Sequence, residues 1–487
     1  MERYYGGFKS STSYVGYGIS SKMGFRIGAV VLVGTSHTGC GYGVIVLLFI
    51  KNTGDSNMSC TLDSSRRGFL KGIVSSMCAP LTIPVGVLAS LGANDRIGIG
   101  YIGVGRRGNQ LMDLPTDGRI VAVCDVDRQR AESKAAKQHC RIYQDYRQML
   151  DATDIDAVFV ATPDHWHALP SIHACQAEKD VYCEKPLGLT IREGQAMVKA
   201  ARKYQRVFQV GMQRRSSVEH ELACALVREG KIGKVHTVIE SNYPSSWESK
   251  FSSQPIPQGL DWDVWCGQTE PAPYHEDIFI QRAKPGWISL RPYSGGEMTG
   301  TGAHGFDLVQ WGLGTDHTGP VEVWEEGGKL EPVVYSESES RDRGDRLCSQ
   351  GRRVSFRYAN GVLLQLENQP DRIFVGEKGK IIVGYGKVSS DPPEIVEEAR
   401  KEIKPPPDML TCHIQNWFDC IRSREKPVAD VEIGHRSSNI CHLGNIARWI
   451  GRKLQWDPEK EIFPDDEEAN QFLERLMRQP YQLPHPL

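Results

Sequence analysis

The stretch DRIGIGYIGVGRRGNQL, residues 95–111, runs an apolar strand directly into Gly103, Gly105 and Gly108, spaced G-x-G-x-x-G, and then into a polar-apolar helical pattern. Glycines at that spacing let the backbone turn tightly and come close to a pyrophosphate, whose charge the free amides at the following helix start would face. The next apolar run, RIVAVCDVD at 119–127, puts Asp125 at a second strand end, 17 residues past Gly108. A carboxylate there accepts both ribose hydroxyls and repels a 2′-phosphate, so NAD is expected over NADP. Val104, Arg106 and Arg107 lie within the loop and count with it as cofactor-binding; with Arg128, the two arginines keep NADP open as the less favoured alternative.

Strand and helix signals continue to alternate through DIDAVFVATPDHWHALPSIHACQAEKDVYCEKPLGL, residues 154–189. A strand at 155–161 leads to Thr162-Pro163, a helix begins near Ala168, and another strand ends at Cys183. In a doubly wound sheet the carboxyl ends of parallel strands face the ligand crevice, so Thr162-Pro163 and Glu184-Lys185-Pro186 are expected on that edge. Thr190-x-x-Glu193 reads as a capping box opening the next helix. From about Gln213 the pattern changes to period-two runs, KVHTVIESNY, RRVSFRYANGVLLQLEN and KGKIIVGYG. The expected fold is α/β: a Rossmann-type parallel sheet at 94–213, then an α+β domain with a large, open, mostly antiparallel sheet at 214–487. Within that half, SGGEMTGTGAHGFDLVQWGLG (294–314) carries His304 and Asp307 three apart on one helix face. The histidine is suited to relay a proton, and the acid to hold its tautomer or contact a sugar hydroxyl.

In order, GVGRRG, VAVCDVD, ATPDHWH and CEKPLGLT resemble the glucose-fructose oxidoreductase, inositol dehydrogenase and rhizopine-catabolism family (Gfo/Idh/MocA), and most of all its exported branch. The resemblance covers the chain from about Arg96 to Tyr481. It implies that Lys185 lies between nicotinamide and substrate as the catalytic residue, that Glu184 and Pro186 shape the cofactor site, and that His165 and His167 flank the nicotinamide. Chemistry agrees for Lys185, since oxidising an alcohol by hydride transfer requires a group that takes the hydroxyl proton or stabilises the alkoxide. The family pattern has an aspartate four residues before the histidine; this sequence has Gly300, which leaves Lys185 and His304, or the hydroxyl of Thr299 or Thr301, to carry the proton. Tyr243 and Trp287, with Trp247, Trp262, Trp265 and Tyr274, match the region of family pocket walls, and aromatic faces suit sugars. The resemblance further implies a sugar, polyol or glycoside substrate and a homo-oligomer, dimer or tetramer, built on the open sheet. His435-Arg436 matches an architectural turn, and the acidic, proline-ended tail from 457 reads as surface wrapping.

Composition narrows the alternatives. A net charge of −2 with dispersed basic residues excludes a nucleic-acid interface, and the 13 cysteines form no C-x-x-C pair and give no metal site. Ser65-Arg66-Arg67-Gly68-Phe69-Leu70-Lys71 before an apolar stretch matches a twin-arginine export signal over 58–93, so a periplasmic or envelope location is expected, with no stable membrane span in the mature protein. Residues 1–57 then read as an upstream extension with a true start at Met58, although the apolar run Gly28 to Ile50 has the look of a weak span. Beside a dehydrogenase stand two other readings: a glycoside hydrolase or lyase using tightly bound NAD for transient oxidation, and a carbohydrate-binding protein without turnover.

Overall fold

The structure, a computed structural model, describes residues 96–485 except 115, 281–284, 337–340, 351, 385, 402 and 404–407, together with the backbone of three strands nearer the start. Those three, Ile19–Ser20, Phe25–Thr35 and Tyr42–Asn52, form a small antiparallel sheet of their own. The apolar run from Gly28 to Ile50 is therefore two paired strands, in register from Phe25↔Asn52 to Thr35↔Tyr42, and not one span. Its valines and isoleucines favour strands. Among the described residues no helix is long and apolar enough to cross a membrane. The twin-arginine stretch lies outside the described residues.

The following residues build a six-stranded sheet from β1 (Gly98–Ile102), β2 (Arg119–Cys124), β3 (Arg141–Tyr143), β4 (Ala157–Val160), β5 (Asp180–Cys183) and β6 (Phe208–Val210). All neighbours are parallel and the order is β3-β2-β1-β4-β5-β6, the doubly wound arrangement whose direction reverses beside β1. Helix α1 (Arg106–Met112) leaves the glycine loop, and α2 (Arg128–Gln138) is capped by Asp127, which accepts from the amide of Arg130. After β5, α3 (Ile191–Lys203) opens on Thr190, whose hydroxyl accepts from Glu193 N while the Glu193 carboxylate accepts from Leu189 N.

The second half forms an eight-stranded sheet that is antiparallel except for one central parallel pair, Val235–Ser241 beside Leu363–Glu367. One face carries Val238, Phe356, Leu364 and Phe374, buried beneath α4 (Gly302–Leu313) and α6 (Val431–Ile450), and Ile381, buried beneath the helix Val218–Arg228. The opposite face presents Ile239, Ile373, Ile382 and Trp324 in one row, each only partly covered.

Division at residue 213 is not the whole organisation. Helix α5 (Met409–Ser423) returns from the far end of the chain to the first sheet, where Trp417 packs edge-on to Phe159 and Ile414 and Phe418 join Tyr101 and Tyr182. A parallel sheet needs both faces covered, and this face is covered by a helix some two hundred residues away in sequence.

Candidate active site

Strand order fixes the site. The carboxyl ends of β2, β1, β4 and β5 carry, in spatial order, Asp125, the glycine loop, Thr162-Pro163 and Glu184-Lys185. Three steps between strands, at roughly 4.8 Å each, separate the Asp125 edge from the Lys185 edge by about 14 Å. A cavity of 740 Å³ runs along this edge, lined by Gly103, Val104, Gly105, Arg106, Arg107, Asp125, Thr162, Pro163, His167, Glu184 and Lys185, with Trp287 and His304 from the second half.

The glycine loop is built for close approach. Gly103 has φ +82°, open to glycine at little cost, and a Cβ there would lie 2.8 Å from Thr162 N. A Cβ on Gly108 would sit 2.1 Å from the Gly103 carbonyl oxygen, so helix and strand meet only because it is absent. Gly105 differs: a Cβ there would meet only Arg130 Nη1, at 3.9 Å, and otherwise occupy open cavity. Asp125 accepts from Val104 N at 3.0 Å and from Arg130 Nη1 at 3.3 Å, which holds the loop in place; burial pushes its carboxyl up while Arg130 pulls it down. Across the loop, Arg107 Nε pairs with Glu184 at 2.8 Å, and Gln213 donates to both Glu184 and Tyr182.

At the other end Lys185 Nζ donates to the Gly300 carbonyl at 2.8 Å, one helical turn before His304. Burial first, then the Lys185, Arg214 and Arg107 charges, holds the His304 imidazole well below its ordinary range, so it is a neutral base whose buried Nδ1 has no partner among the described residues. The Thr162 hydroxyl is likewise buried without a partner among them. Two polar atoms left for a ligand, the cradle at Gly105 and the acid at Asp125 fit a nicotinamide dinucleotide; when bound, it would supply the hydride acceptor or donor.

Several expected residues are elsewhere. His165 does not line the cavity: its Nε2 bonds the Trp265 carbonyl at 2.8 Å between the Trp265 and Tyr293 rings, and burial lowers it to about 3. Asp307 is fully buried behind the cleft, taking two bonds from Arg215 and one from Ser437, so its oxygens are committed to an internal ion network. Tyr243 also lies off the cavity, donating to Glu240 at 3.0 Å. Thr299 and Thr301 donate to the Gly296 carbonyl and the Glu297 carboxylate, which leaves neither hydroxyl for a proton path. Beside Gly300 the space a Cβ would take is 3.0 Å from that Glu297 oxygen, so an aspartate side chain would crowd the resident acid. Trp265 lines the cavity, as the aromatic pattern suggested, while Asp164, Gln213, Phe279 and Tyr481 line it unforeseen. Asp164 and Gln213 follow strand ends and were open to the same edge argument; the others are remote in sequence and carry no signal.

His167 sits under the cavity with Nδ1 2.7 Å from the Pro186 carbonyl and Nε2 3.1 Å from that of Thr162. Two acceptors call for two N–H donors; burial opposes the charge, but Cys183 above all, then Asp164 and the Pro186 carbonyl, outweigh it and raise the ring to about 10. Burial pushes four others down, His165 to about 3 and His220, His413 and His442 to about 4. Unfolded histidines gain protons below about 6.5 that these four refuse when folded, so folding stability falls as pH drops through that value, by about 1.4 kcal/mol for each at one unit below. His167 acts oppositely: its contribution is complete below 6.5 and lost as pH rises toward 10. Urea unfolding should therefore show a lower midpoint at pH 5.5 than at 7.5, and an equal or higher one would show that the four are not buried as neutral rings.

The profile described as "Oxidoreductase family, NAD-binding Rossmann fold" matches residues 97–212, and "Oxidoreductase family, C-terminal alpha/beta domain" matches residues 216–483. The chain is similar to levoglucosan dehydrogenase of Pseudarthrobacter phenanthrenivorans, 31% identical over 193 residues, which is 37% of this chain and 47% of the relative. Its similarity to inositol 2-dehydrogenase of Salmonella typhimurium is 29% identity over 161 residues, 32% of this chain and 48% of the relative. The chain thus spans about half the length of these two curated relatives. The crystal structure of aldose-aldose oxidoreductase from Caulobacter crescentus shares the fold, with TM-score 0.51 and 17% identity over 74% of this chain and 99% of the other. With the two profiles laid end to end over both halves that line this cavity, the chain belongs to the Gfo/Idh/MocA oxidoreductase family.

Proposed function

We propose that the protein transfers a hydride between NAD and the carbinol or carbonyl carbon of a sugar, polyol or glycoside. The observation that carries this reading is the pairing at one end of the cavity: a lysine anchored on the carbonyl of residue 300 and, one turn later, a neutral histidine with an unpartnered nitrogen. Lys185 stabilises the developing alkoxide by its charge and His304 takes the hydroxyl proton on Nδ1. Trp287 gives that end an aromatic wall suited to a sugar face. The names of the curated relatives, dehydrogenases of levoglucosan and inositol, support the substrate class. The test is to incubate the purified protein with NAD and a panel of aldoses, inositols and glycosides while following reduced-nicotinamide absorbance and product together. Reduction matched to a keto product is expected. Product without net reduction would favour glycoside cleavage through transient oxidation, and neither hydride transfer nor nucleotide binding would sink the reading.

Two further parts of the proposal concern the setting. The half-covered row of Ile239, Ile373, Ile382 and Trp324 on the open sheet supports pairing with a second copy, which sedimentation would read as a multiple of the 54.4 kDa chain. The Arg66-Arg67 pair with the apolar stretch after it supports twin-arginine export; an Arg66→Lys/Arg67→Lys double variant that still reaches the envelope would refute it.

A further inference from the structure

The end of the chain does not simply wrap the surface. After a short helix, Glu467–Asn470, residues 474–485 run as a strap back over the cofactor domain. Arg475 pairs through Nε with the fully buried Glu193 at 2.9 Å and donates through Nη2 to the His165 carbonyl at 3.2 Å. Three residues on, Arg478 donates to the Gly267 carbonyl at 2.6 Å and to both the side chain and the carbonyl of Asp263, at 2.9 and 2.7 Å. The short helix Trp262–Cys266 to which Asp263 belongs itself lines the cavity through Val264 and Trp265. Between these anchors and the chain end stands Tyr481, 8% exposed, its ring edge-on to Trp166 at 5.5 Å and covered by the Arg478 guanidinium at 5.1 Å. Trp166 in turn packs against Tyr146, which follows β3, on the Asp125 side of the sheet and away from Lys185. Tyr481, Trp166 and Tyr146 all line the cavity.

We infer that Tyr481 is a cofactor-binding residue contributed by the C-terminal strap, and that the strap closes the adenosine half of the site so that the dinucleotide leaves only when it lifts. This rests on the dinucleotide reading above. Aromatic walls favour a purine ring by stacking and water exclusion, and the arginine anchors are the contacts that must break for exit. Apart from Tyr481 and Leu483 the strap is held by these polar contacts, so lifting it means breaking the Arg475–Glu193 and Arg478–Asp263 ion pairs with their backbone bonds while the core stays closed.

The test is the rate at which preloaded NADH is displaced by excess NAD, read by its fluorescence, in the full-length protein and in Tyr481→Ala and Arg478→Ala. Release at least tenfold faster in both is expected, with AMP affinity falling in Tyr481→Ala and affinity for reduced nicotinamide mononucleotide unchanged. Because Tyr481 is buried against Trp166, nucleotide-free Tyr481→Ala should melt lower than the parent, so Tyr481→Leu, which keeps an apolar cover, is the second variant at that position: it should melt within a few degrees of the parent and still release NADH at least tenfold faster, which separates lost stacking from lost fold. Release within twofold of the parent in Tyr481→Leu and Arg478→Ala overturns the strap while leaving the dinucleotide reading intact. A parent protein that holds no NADH at all overturns that reading itself.

Discussion

Lys185→Met is expected to lower kcat for the preferred sugar or polyol by 10²–10⁴, about 3 to 5 kcal/mol of transition-state stabilisation, while NADH affinity stays within severalfold of the parent. The two quantities separate because the groups that hold the nucleotide lie elsewhere along the sheet edge. Asp125 and the glycine loop are tied together through Val104 N, and the Arg107–Glu184 pair bridges loop and strand without the lysine. Lys185 instead reaches across to the Gly300 carbonyl, at the start of the helix that carries His304. Methionine keeps the length and apolar stem and removes the charge. Lys185→Arg tests geometry: a planar guanidinium cannot keep one short bond to that carbonyl and also occupy the point an ammonium would, so it should recover less than a tenth of the lost rate. A Lys185→Met enzyme turning over within tenfold of the parent would remove the lysine from the chemistry. The pH profile gives a second measure. His304 is held far below its ordinary range, so the rate should not fall through the histidine region as pH drops from 7 to 6 unless another group titrates there.

How far these residues could be read in advance depended on whether the physics was local. The dinucleotide edge was legible because strand, glycine loop, helix and terminal acid follow one another within thirty residues, and each is decided by neighbours in the chain. Lys185 could be placed for the same reason, since the strand Asp180–Cys183 is short and its apolar residues end where Glu184 and Lys185 begin. Asp307 and Tyr243 failed on a different ground. Helical spacing put Asp307 on the face of His304, but which way a buried acid turns is set by its counter-charge, and Arg215 arrives from a loop ninety-two residues earlier. The same applies to Tyr243 and the Glu240–Arg372 ion pair. His165 and His167 are two residues apart and look equivalent in sequence, yet a single turn sends one into an aromatic cluster and the other beneath the cavity. The helix over the first sheet, Met409–Ser423, and the strap ending in Tyr481 depend on where a long connection returns, which no periodicity encodes.

Gly105→Ala and Gly108→Ala, two changes three residues apart, are expected to fail in opposite ways. At 108 the added methyl would lie 2.1 Å from a backbone oxygen of Gly103 and 3.1 Å from its carbon, with no flexible side chain to yield. Helix α1 must then move off the strand, at a cost of about 1–3 kcal/mol or more, so the nucleotide-free protein should melt several degrees lower. At 105 φ is −65°, so no left-handed conformation is asked of alanine, and the methyl touches nothing nearer than Arg130 Nη1 at 3.9 Å. Its free protein should melt with the parent. What the methyl occupies is the cavity above the first turn of α1, the approach a pyrophosphate needs to reach the helix amides, and NADH affinity should fall ten- to a hundredfold. The contrast carries the argument, since a phosphate-binding loop and a merely tight strand-to-helix turn both need small residues. Only the phosphate site loses ligand at a position where the free fold loses nothing. If Gly105→Ala binds NADH as the parent does, the open space at that residue is not where the nucleotide lies, and the whole placement of the cofactor along this edge would have to move.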